Sequence, residues 1–589
     1  MDTKYDRQLR LWGRDGQQAL AESHVVVLGA TVAAAEMLKN MILPGIGLFT
    51  IVDDALVDDE AMGNNFFVTM DDYAARRPIA VALVQNLGKL NAQSRGIACV
   101  RPCASWLESF LSPTASPSST IASQSGEQQP TLIVATPRLS PASLRRLAAH
   151  LKRVSGIPLL YVKASGLAGL LHIQARERII IHAEPKPETR VTDLRIFNPF
   201  PALQEWFEAH DPADGALYSR DIELHSHFPW IAILYHALQR VRLGRGDPAF
   251  VPRSKADYDV LKHAVSSFIL RPFPPQEGFV EALEMCRTVL NRPSVLPEGL
   301  QQLLRDTRAD TPLCMHQWPQ QDPEEKNTIL CWSVVHGIKQ FIANHDGVPP
   351  FCGYVPDFTT TTQWYAELGA IYAKKTEEDC VAVWEYAMEA LGSCGCGSDV
   401  PVIVDASEVA EVTKALVQNL WTLQTVSFHP GLDENVCDAL SQKRFNHYLS
   451  DCSTDEERFT VEMYAALLAA QCFEERYGRP AGYASEQSTD ADAIWESDGK
   501  ELLQIVTASR YGEPCNNVDL LSKACMEVAR YGAGEPAAIA SIIGAAAAQE
   551  CIKLVQQRRV PIQRPLVFDG YRSCFWLAPP LPEIAVEQQ

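Results

Sequence analysis

Between His24 and Asp54 the hydrophobic and polar positions follow the pattern of a strand, a tight turn, a helix and a second strand. Val25–Leu28 is a short apolar run rich in β-branched residues, and Gly29 supplies the turn at which such a strand ends. Good helix formers follow at Ala33–Leu38, and Leu48–Val52 is a second apolar run. This pattern predicts the opening unit of a doubly wound nucleotide-binding sheet.

The turn at Gly29 lacks the residues that bind a phosphate in such a sheet. The fingerprint G-x-G-x-x-G, started at Gly29, would need glycine where the chain has Thr31 and Ala34. A β-branched side chain fills the space through which the backbone would approach a pyrophosphate. Asp53 stands where a dinucleotide fold carries its ribose-binding acid, although an acid in this place is often only a turn or cap residue. We therefore expect a nucleotide-binding scaffold whose phosphate loop is filled in.

The rest of the pattern divides the chain into an α/β part and a helical part. After about Pro201, strands give way to helices with apolar residues at three- and four-residue spacing, and the α/β signal returns after Leu502. We predict an α/β domain formed by residues 1–180 and 501–589, split by a large all-helical insertion at 181–500; residues 112–130 have the composition of a solvated loop. The predicted helices of the insertion are Trp230–Leu243, Ser254–Leu270, Glu277–Leu290, Leu330–Ala343, Trp364–Ala373, Glu377–Leu391 and Glu462–Tyr477.

Composition narrows the range of partners. A net charge of −20 over 589 residues opposes binding to nucleic acid or to an anionic membrane, because the electrostatic attraction has the wrong sign. The 16 cysteines are scattered without the framework of a small disulfide-rich domain, which favours reduced thiols inside the cell. The longest run of low charge, Pro536–Gln549, is shorter than the roughly 20 residues of a membrane span, so we expect an internal helix and no membrane segment.

Three further groups of residues have a plain structural explanation beside a chemical one. The histidines of His225–His227 could bind a metal, but neighbouring residues rarely converge on one ion and no Cys-x-x-Cys pair completes a zinc site, so we expect no metal. Cys394-Gly395-Cys396 could be redox-active, or simply a glycine-rich loop. Arg7 and Arg10 share one helical face, which could be a solvated face with acidic partners in the same chain.

Five stretches together carry a family resemblance. They are YDRQLRLWG at Tyr5–Gly13, LPGIGLFTIVD at Leu43–Asp53, GNNFF at Gly63–Phe67, SHFPWI at Ser226–Ile231 and EPAAIASIIGAAAAQECIK at Glu535–Lys553. In combination they resemble the regulatory subunits of heterodimeric neddylation-activating enzymes, in the ubiquitin-activating enzyme superfamily, over nearly the whole chain. The resemblance implies a Rossmann-like adenylation fold of the ThiF/MoeB type that is pseudo-active.

The resemblance also implies where the chemistry is missing. Catalytic members bind ATP and magnesium with a glycine-rich loop, an Asn-Arg-Gln segment, a lysine in the next helix and an aspartate after a later strand. The matching positions here form a degenerate site: Gly29, Thr31, Ala34, Asp53, Asn64, Arg77 and Pro137. Since proline cannot coordinate magnesium and no cysteine precedes a threonine, as the family's thioester cysteine does, we expect no catalytic centre in this chain.

The family places the chemistry on a catalytic partner subunit. That partner would hold ATP, magnesium and zinc, adenylate the C-terminal glycine of the ubiquitin-like modifier, and pass the modifier on to a conjugating enzyme. By resemblance Arg7, and more weakly Arg10, reaches into the partner's ATP site. Residence in the cytoplasm and nucleus is expected. The resemblance predicts a partner interface at Pro356, Asp357, Phe358, Trp364, Tyr365 and Leu368.

Two other functions stay open at this point. One is a stand-alone nucleotide-binding enzyme, either an adenylating enzyme or a dehydrogenase, which Gly29 and Asp53 favour and Thr31, Ala34 and Pro137 oppose. The other is a pure adaptor that contributes nothing to ATP chemistry.

Overall fold

The computed structural model describes most of the chain in two compact units. The described residues are 3–112, 129–181, 193–214, 221–271, 274–287, 296–310, 323–393, 405–483, 491–510, 518–532 and 534–581. The first unit comprises Met1–Arg178 and Val426–Gln589, and the second comprises Ile179–Thr425. Most of the predicted loop at 112–130 and all of Cys394-Gly395-Cys396 lie outside the described residues.

The first unit is built on an eight-stranded sheet. Its strands are β1 His24–Leu28, β2 Leu48–Val52, β3 Arg95–Cys99, β4 Leu132–Ala135, β5 Leu159–Ser165, β6 Ala168–Gln174, β9 Leu566–Asp569 and β10 Cys574–Leu577, and their order is β10-β9-β6-β5-β4-β1-β2-β3. The pairs from β5 to β3 are parallel, and those from β5 to β10 are antiparallel. Strands β1, β2, β4 and β5 are buried along their whole length, as expected of parallel strands covered on both faces.

Helices of the first unit connect and cover these strands. They are α1 Asp6–Ala21, α2 Val32–Ile42, α3 Asp59–Asn64, α4 Met70–Ala74, α5 Ile79–Gly88, α6 Cys103–Leu111, α7 Pro141–His150, α17 Val436–Ala439, α18 Gln442–Ser450, α19 Asp455–Tyr477, α20 Ala491–Ser509, α21 Val518–Tyr531 and α22 Ala537–Gln556. Thr31 begins α2 by capping it, and the alternation of strand and helix predicted for the opening of the chain is confirmed.

The small residues of α22 allow it to cross α2 at close range. A Cβ on Gly544 would lie 2.7 Å from the carbonyl oxygen of Ala33, so no larger residue fits there. By length and composition, among the described residues, α22 is the one helix apolar enough to cross a membrane, and half of its apolar window is buried inside the unit. The prediction of an internal helix agrees with this packing.

The second unit is helical around two hydrophobic cores. Its helices are α8 Pro201–Ala209, α9 Ile222–Ser226, α10 Trp230–Arg245, α11 Lys255–Ser266, α12 Glu277–Met285, α13 Glu298–Arg305, α14 Pro323–Asn344, α15 Thr362–Ser393 and α16 Ala406–Gln418. One core gathers around the fully buried Trp230 and Tyr372, and the other around Trp332 and Ile338. Strands β7 Arg178–Ile181 and β8 Leu423–Val426 form a separate two-stranded sheet.

Two predictions about the helical part need correction. The chain returns to the first unit at Val426 and not at residue 501, because α19 packs into the same core as strands β1, β4 and β5. Helix α19 is buried on nearly all sides, and such a helix belongs to the interior of a domain. The helices predicted at Trp364–Ala373 and Glu377–Leu391 form one continuous helix, α15, which runs through the polar stretch between them.

Candidate functional site

The turn after β1 requires glycine at position 29. Gly29 adopts φ +104°, and its N–H donates to the carbonyl oxygen of Val52 at 3.0 Å. A Cβ at this position would lie 2.0 Å from Oγ1 of Thr136. The glycine is therefore explained by the tightness of the turn itself.

The N-terminus of α2 is where a phosphate would bind in a nucleotide-binding sheet, because the first N–H groups of a helix have no partner within the helix. Here those groups are already bonded. Oγ1 of Thr31 accepts from the N–H of Ala34 at 3.3 Å. The carboxylate of Glu535 accepts from the N–H of Ala33 at 3.0 Å and also from that of Val32. A triphosphate would find none of these three N–H groups free, and would meet a carboxylate in their place.

Glu535 reaches this place from far along the sequence, because it precedes Pro536, the N-cap of α22. Its side chain is only 6% exposed. Burial raises the pKa of this carboxyl from its ordinary value of 4.5 to about 7, against the opposing effects of the backbone N–H donors and of Arg138. The helix N-terminus is thus closed by an internal acid that is partly ionised near neutral pH.

Asp53 is buried, and its two carboxylate oxygens accept hydrogen bonds from backbone N–H groups of the neighbouring turns. Oδ2 accepts from the N–H of Ala30 and Oδ1 from the N–H of Ala55, each at 2.8 Å. Of the two interpretations of Asp53, ribose-binding acid or turn residue, the geometry favours the turn residue.

Of the two positions that the resemblance aligned with basic phosphate ligands, Arg77 makes local contacts. Arg77 Nη1 donates to Oδ1 of Asp72 at 2.6 Å and to Oε1 of Gln85 at 2.9 Å. Asn64 is the half-buried last residue of α3, and the fully buried Asn65 follows it. The one basic charge that the sequence retains is therefore paired within the chain.

A cavity of about 350 Å³ opens beside α2, and we call it the glycine-turn cavity. It is lined by Ala30, Thr31, Val32, Asp58, Glu60, Ala61, Asn65, Ile79, Pro137, Arg138, Lys163, Ala164, Glu474, Pro480, Tyr483, Gly532 and Glu535. Of the seven degenerate positions predicted from the sequence, Thr31 and Pro137 line the cavity. Gly29, Ala34, Asp53, Asn64 and Arg77 are not among its lining residues. Pro137 in the lining, and the carboxylate of Glu535 bonded to the first turn of α2, both oppose the binding of ATP with magnesium in this cavity.

Lys163 is the buried cation of the glycine-turn cavity. Burial lowers the pKa of its ammonium group, while Glu474 and Glu535 act in the opposite direction. Burial also raises the pKa of Glu474, and Lys163 opposes that shift. Lys163 thus faces two carboxylates of its own chain.

The two candidate arginines of α1 differ in their surroundings. Arg10 forms an exposed ion pair with Asp6 at 3.0 Å, as expected of a solvated helix face. Arg7 is exposed, and among the described residues its guanidinium has no ion pair or hydrogen bond. Of these two arginines, only Arg7 could therefore bind a group outside this chain without breaking an ion pair.

Comparison with known proteins bears on the family of the chain. The ThiF family profile matches residues 5–113. The NEDD8-activating enzyme E1 regulatory subunit of Gallus gallus is 30% identical over 97% of this chain and 96% of its own length. This chain belongs to that family. The subunit of the same name from Xenopus laevis is 29% identical over 97% of both chains, and AXR1 of Arabidopsis thaliana, also a NEDD8-activating enzyme E1 regulatory subunit, is 27% identical over 96% and 94%. The resemblance predicted from the five sequence stretches is confirmed.

The interface residues predicted for the family are only partly accessible in the second unit. Trp364 and Leu368 lie one helical turn apart on α15 and are buried in the core around Trp230. They are therefore unavailable to a partner, which corrects that part of the prediction. Tyr365, the next residue of the helix, is exposed, and its hydroxyl donates to Oδ1 of Asp357 at 3.1 Å. Phe358 and Pro356 are half-buried.

His225 has a structural role. Gln276 Nε2 donates to its Nδ1 at 2.7 Å, and its Nε2 lies 3.1 Å from the carbonyl oxygen of Pro212. Burial lowers the pKa of this ring, which agrees with a neutral histidine held in the core. Among the described residues, no group of three or more His, Cys, Asp and Glu side chains could hold a metal ion.

Several thiols in the described part of the chain are held in the protonated form. Burial raises the pKa of Cys103, Cys331 and Cys525 to about 12 in each case. A thiol is nucleophilic as its thiolate, and burial in apolar surroundings disfavours that form.

The sequence pattern did not single out the buried charged residues of the glycine-turn cavity, although it did single out Thr31 and Pro137. Glu535, Lys163 and Glu474 come from segments far apart in the chain, and none belongs to a motif whose spacing points to α2. The one available signal was an acid directly before the proline that begins α22.

Proposed function

We propose that this chain is the non-catalytic regulatory subunit of a heterodimeric NEDD8-activating enzyme. In the complex, the carboxylate of the modifier's C-terminal glycine attacks the α-phosphate of ATP and displaces pyrophosphate. A cysteine thiolate of the catalytic partner then attacks the acyl adenylate and displaces AMP, which leaves the modifier as a thioester. This chain supplies scaffold, modifier-binding surface and one arginine, and the conjugating enzyme later receives the modifier.

The observation that carries the proposal is the occupied N-terminus of α2. Thr31 and Glu535 together bond the N–H groups of Val32, Ala33 and Ala34, which a nucleotide would otherwise use. The buried carboxylate would also repel a phosphate. This supports a pseudo-active site, with ATP and magnesium bound by the catalytic partner, which would also carry the zinc. It opposes the stand-alone adenylating enzyme and the dehydrogenase.

The free guanidinium of Arg7 supports a contribution to the partner's ATP site. A planar, permanently charged fork suits phosphate oxygens, and among the described residues no acid pairs with Arg7 that it would first have to release. Arg10 would have to give up its pair with Asp6. We therefore assign the in-trans role to Arg7.

The experiment is NEDD8-dependent ATP–pyrophosphate exchange by the assembled heterodimer carrying Arg7→Ala. We expect exchange to slow by at least about tenfold, with an unchanged elution volume of the complex in size-exclusion chromatography. Arg10→Ala is the matched control and should change exchange little, because that side chain already has a partner. Unchanged exchange with Arg7→Ala would instead favour the pure adaptor.

A further inference from the structure

The glycine-turn cavity contains a buried hydrogen-bond donor that has no acceptor. Asn65 is only 3% exposed, and its Oδ1 accepts from the N–H of Phe67 at 3.0 Å. That bond fixes the orientation of the amide and makes the other terminal atom the nitrogen. Among the described residues, Nδ2 of Asn65 has no partner. An unpaired donor at the wall of a cavity calls for an acceptor from outside the chain.

Two charged groups of the same cavity are also unpaired. Within the described part of the chain, neither the carboxylate of Glu60 nor the guanidinium of Arg138 forms an ion pair or a side-chain hydrogen bond. Burial and the neighbouring Asp58 raise the pKa of Glu60, and Arg138 opposes them. Glu60 is thus an exposed acid at the cavity wall beside a second exposed acid, Asp58, and a cation would stabilise both.

The charges that line the cavity favour the binding of a cationic group over an anionic one. The lining contains the acids Asp58, Glu60, Glu474 and Glu535 and the cations Arg138 and Lys163. Lys163 already faces Glu474 and Glu535. The pair Asp58 and Glu60 is left with only Arg138 nearby.

Exposed apolar side chains on the segment around Asp58, Glu60 and Asn65 indicate that the cationic group belongs to a protein. Phe66 directly follows Asn65 and is 77% exposed, and Met70, which begins α4, is 62% exposed. Leu56, two residues before Asp58, is exposed as well. Large exposed apolar side chains on the segment that contributes Asp58, Glu60 and Asn65 to the cavity are typical of a protein interface rather than of a small-molecule site.

We propose that the glycine-turn cavity and its apolar neighbours Phe66 and Met70 form a docking site for a lysine or arginine side chain of the catalytic partner. The cation lies between Glu60 and Asp58, and a backbone carbonyl beside it accepts from Nδ2 of Asn65. Adjoining apolar residues of the partner cover Phe66 and Met70. The inference rests on the proposed function, because that function supplies the partner.

The first test measures the dissociation rate of the heterodimer with a fluorescently labelled chain. We expect Glu60→Gln to raise this rate about fivefold to tenfold and to weaken its dependence on salt. Glu496→Gln removes the same charge from an exposed position on α20 and should leave the rate unchanged. The thermal unfolding of the isolated variant should match that of the wild type. A complex whose dissociation rate is the same with Glu60→Gln overturns this inference alone, whereas the absence of any complex with the wild-type chain contradicts the proposed function.

The second test identifies what covers Phe66. A photoreactive phenylalanine analogue placed at position 66 is irradiated in the complex with the partner and NEDD8, and the crosslinked peptide is sequenced by mass spectrometry. We expect a crosslink to a partner segment that contains lysine or arginine. A crosslink to NEDD8, to a partner segment without a basic residue, or to nothing would overturn the assignment.

Discussion

Glu535→Gln tests the carboxylate that closes the N-terminus of α2. In the folded chain the pKa of Glu535 rises from 4.5 to about 7 because the group is buried. A folded-state pKa above the unfolded one means that the stabilising contribution is fully present below pH 4.5 and is lost as the pH rises through 7. Each tenfold change in acidity corresponds to about 1.4 kcal/mol.

Between pH 5 and pH 8 the wild-type chain should therefore lose about 2.5 kcal/mol of unfolding free energy through this group. Glutamine keeps the size of the side chain and carries no charge at any pH in this range. Its one oxygen can accept from the N–H of Ala33 or of Val32, but not as well from both, so a pH-independent cost of about 1 to 3 kcal/mol is expected. The change with pH separates the two effects.

The assay is urea unfolding of the wild type and of Glu535→Gln at several values between pH 5 and pH 8. The unfolding free energy of the variant minus that of the wild type should increase by about 2.5 kcal/mol across this range. Other titrating groups are common to both proteins and cancel in the difference. For Glu496→Gln, at an exposed position, the unfolding free energy should change with pH as it does in the wild type. If the unfolding free energy of Glu535→Gln also follows the wild type across this pH range, the buried carboxylate does not titrate as described. A charged Glu535 would then no longer support a closed N-terminus of α2.

Two further predictions concern stability. Arg510 and Glu462 form a buried pair, with side chains 2% and 3% exposed and Nη2 to Oε2 at 2.8 Å, so Arg510→Ala should cost about 3 to 5 kcal/mol in urea unfolding by leaving Glu462 unpaired. Arg146→Ala, which breaks the exposed pair with Glu108, is the control and should change little; equal effects of both would refute the distinction. Thr31→Val keeps the shape of the side chain but removes the cap of α2 and should cost about 1 kcal/mol, with faster hydrogen exchange in the first turn of the helix. Unchanged exchange there would show that the hydroxyl is not the cap.

The opening of the fold was predictable because its signals are local. The apolar run before Gly29, the helix formers after it and the second apolar run each specify their own element, and the structure has all three. The return of the chain to the sheet was not predictable in the same way. Helix α19 shows only that it is apolar on most sides, and periodicity does not reveal which core buries it.

In the candidate site too, the features set by neighbouring residues were predictable and those set by distant residues were not. The departure from the glycine fingerprint at Thr31 could be recognised in the sequence, because the whole motif spans only a few consecutive residues. Glu535, whose carboxylate accepts from the first turn of α2, lies 502 residues from its hydrogen-bond donor Ala33. Trp364 and Leu368 were assigned to an interface by the family resemblance. Their spacing does not reveal their burial, because it fits a surface-facing helix and a core helix equally well.

The most direct test of the account is ATP–pyrophosphate exchange in the presence of NEDD8, measured for this chain alone, for the catalytic partner alone and for the two mixed. We predict exchange at full rate only in the mixture, because we propose that the phosphate site lies on the partner and that Arg7 of this chain completes it. Exchange by this chain alone would contradict it, since ATP would then be bound at a helix N-terminus that Glu535 and Thr31 were argued to close.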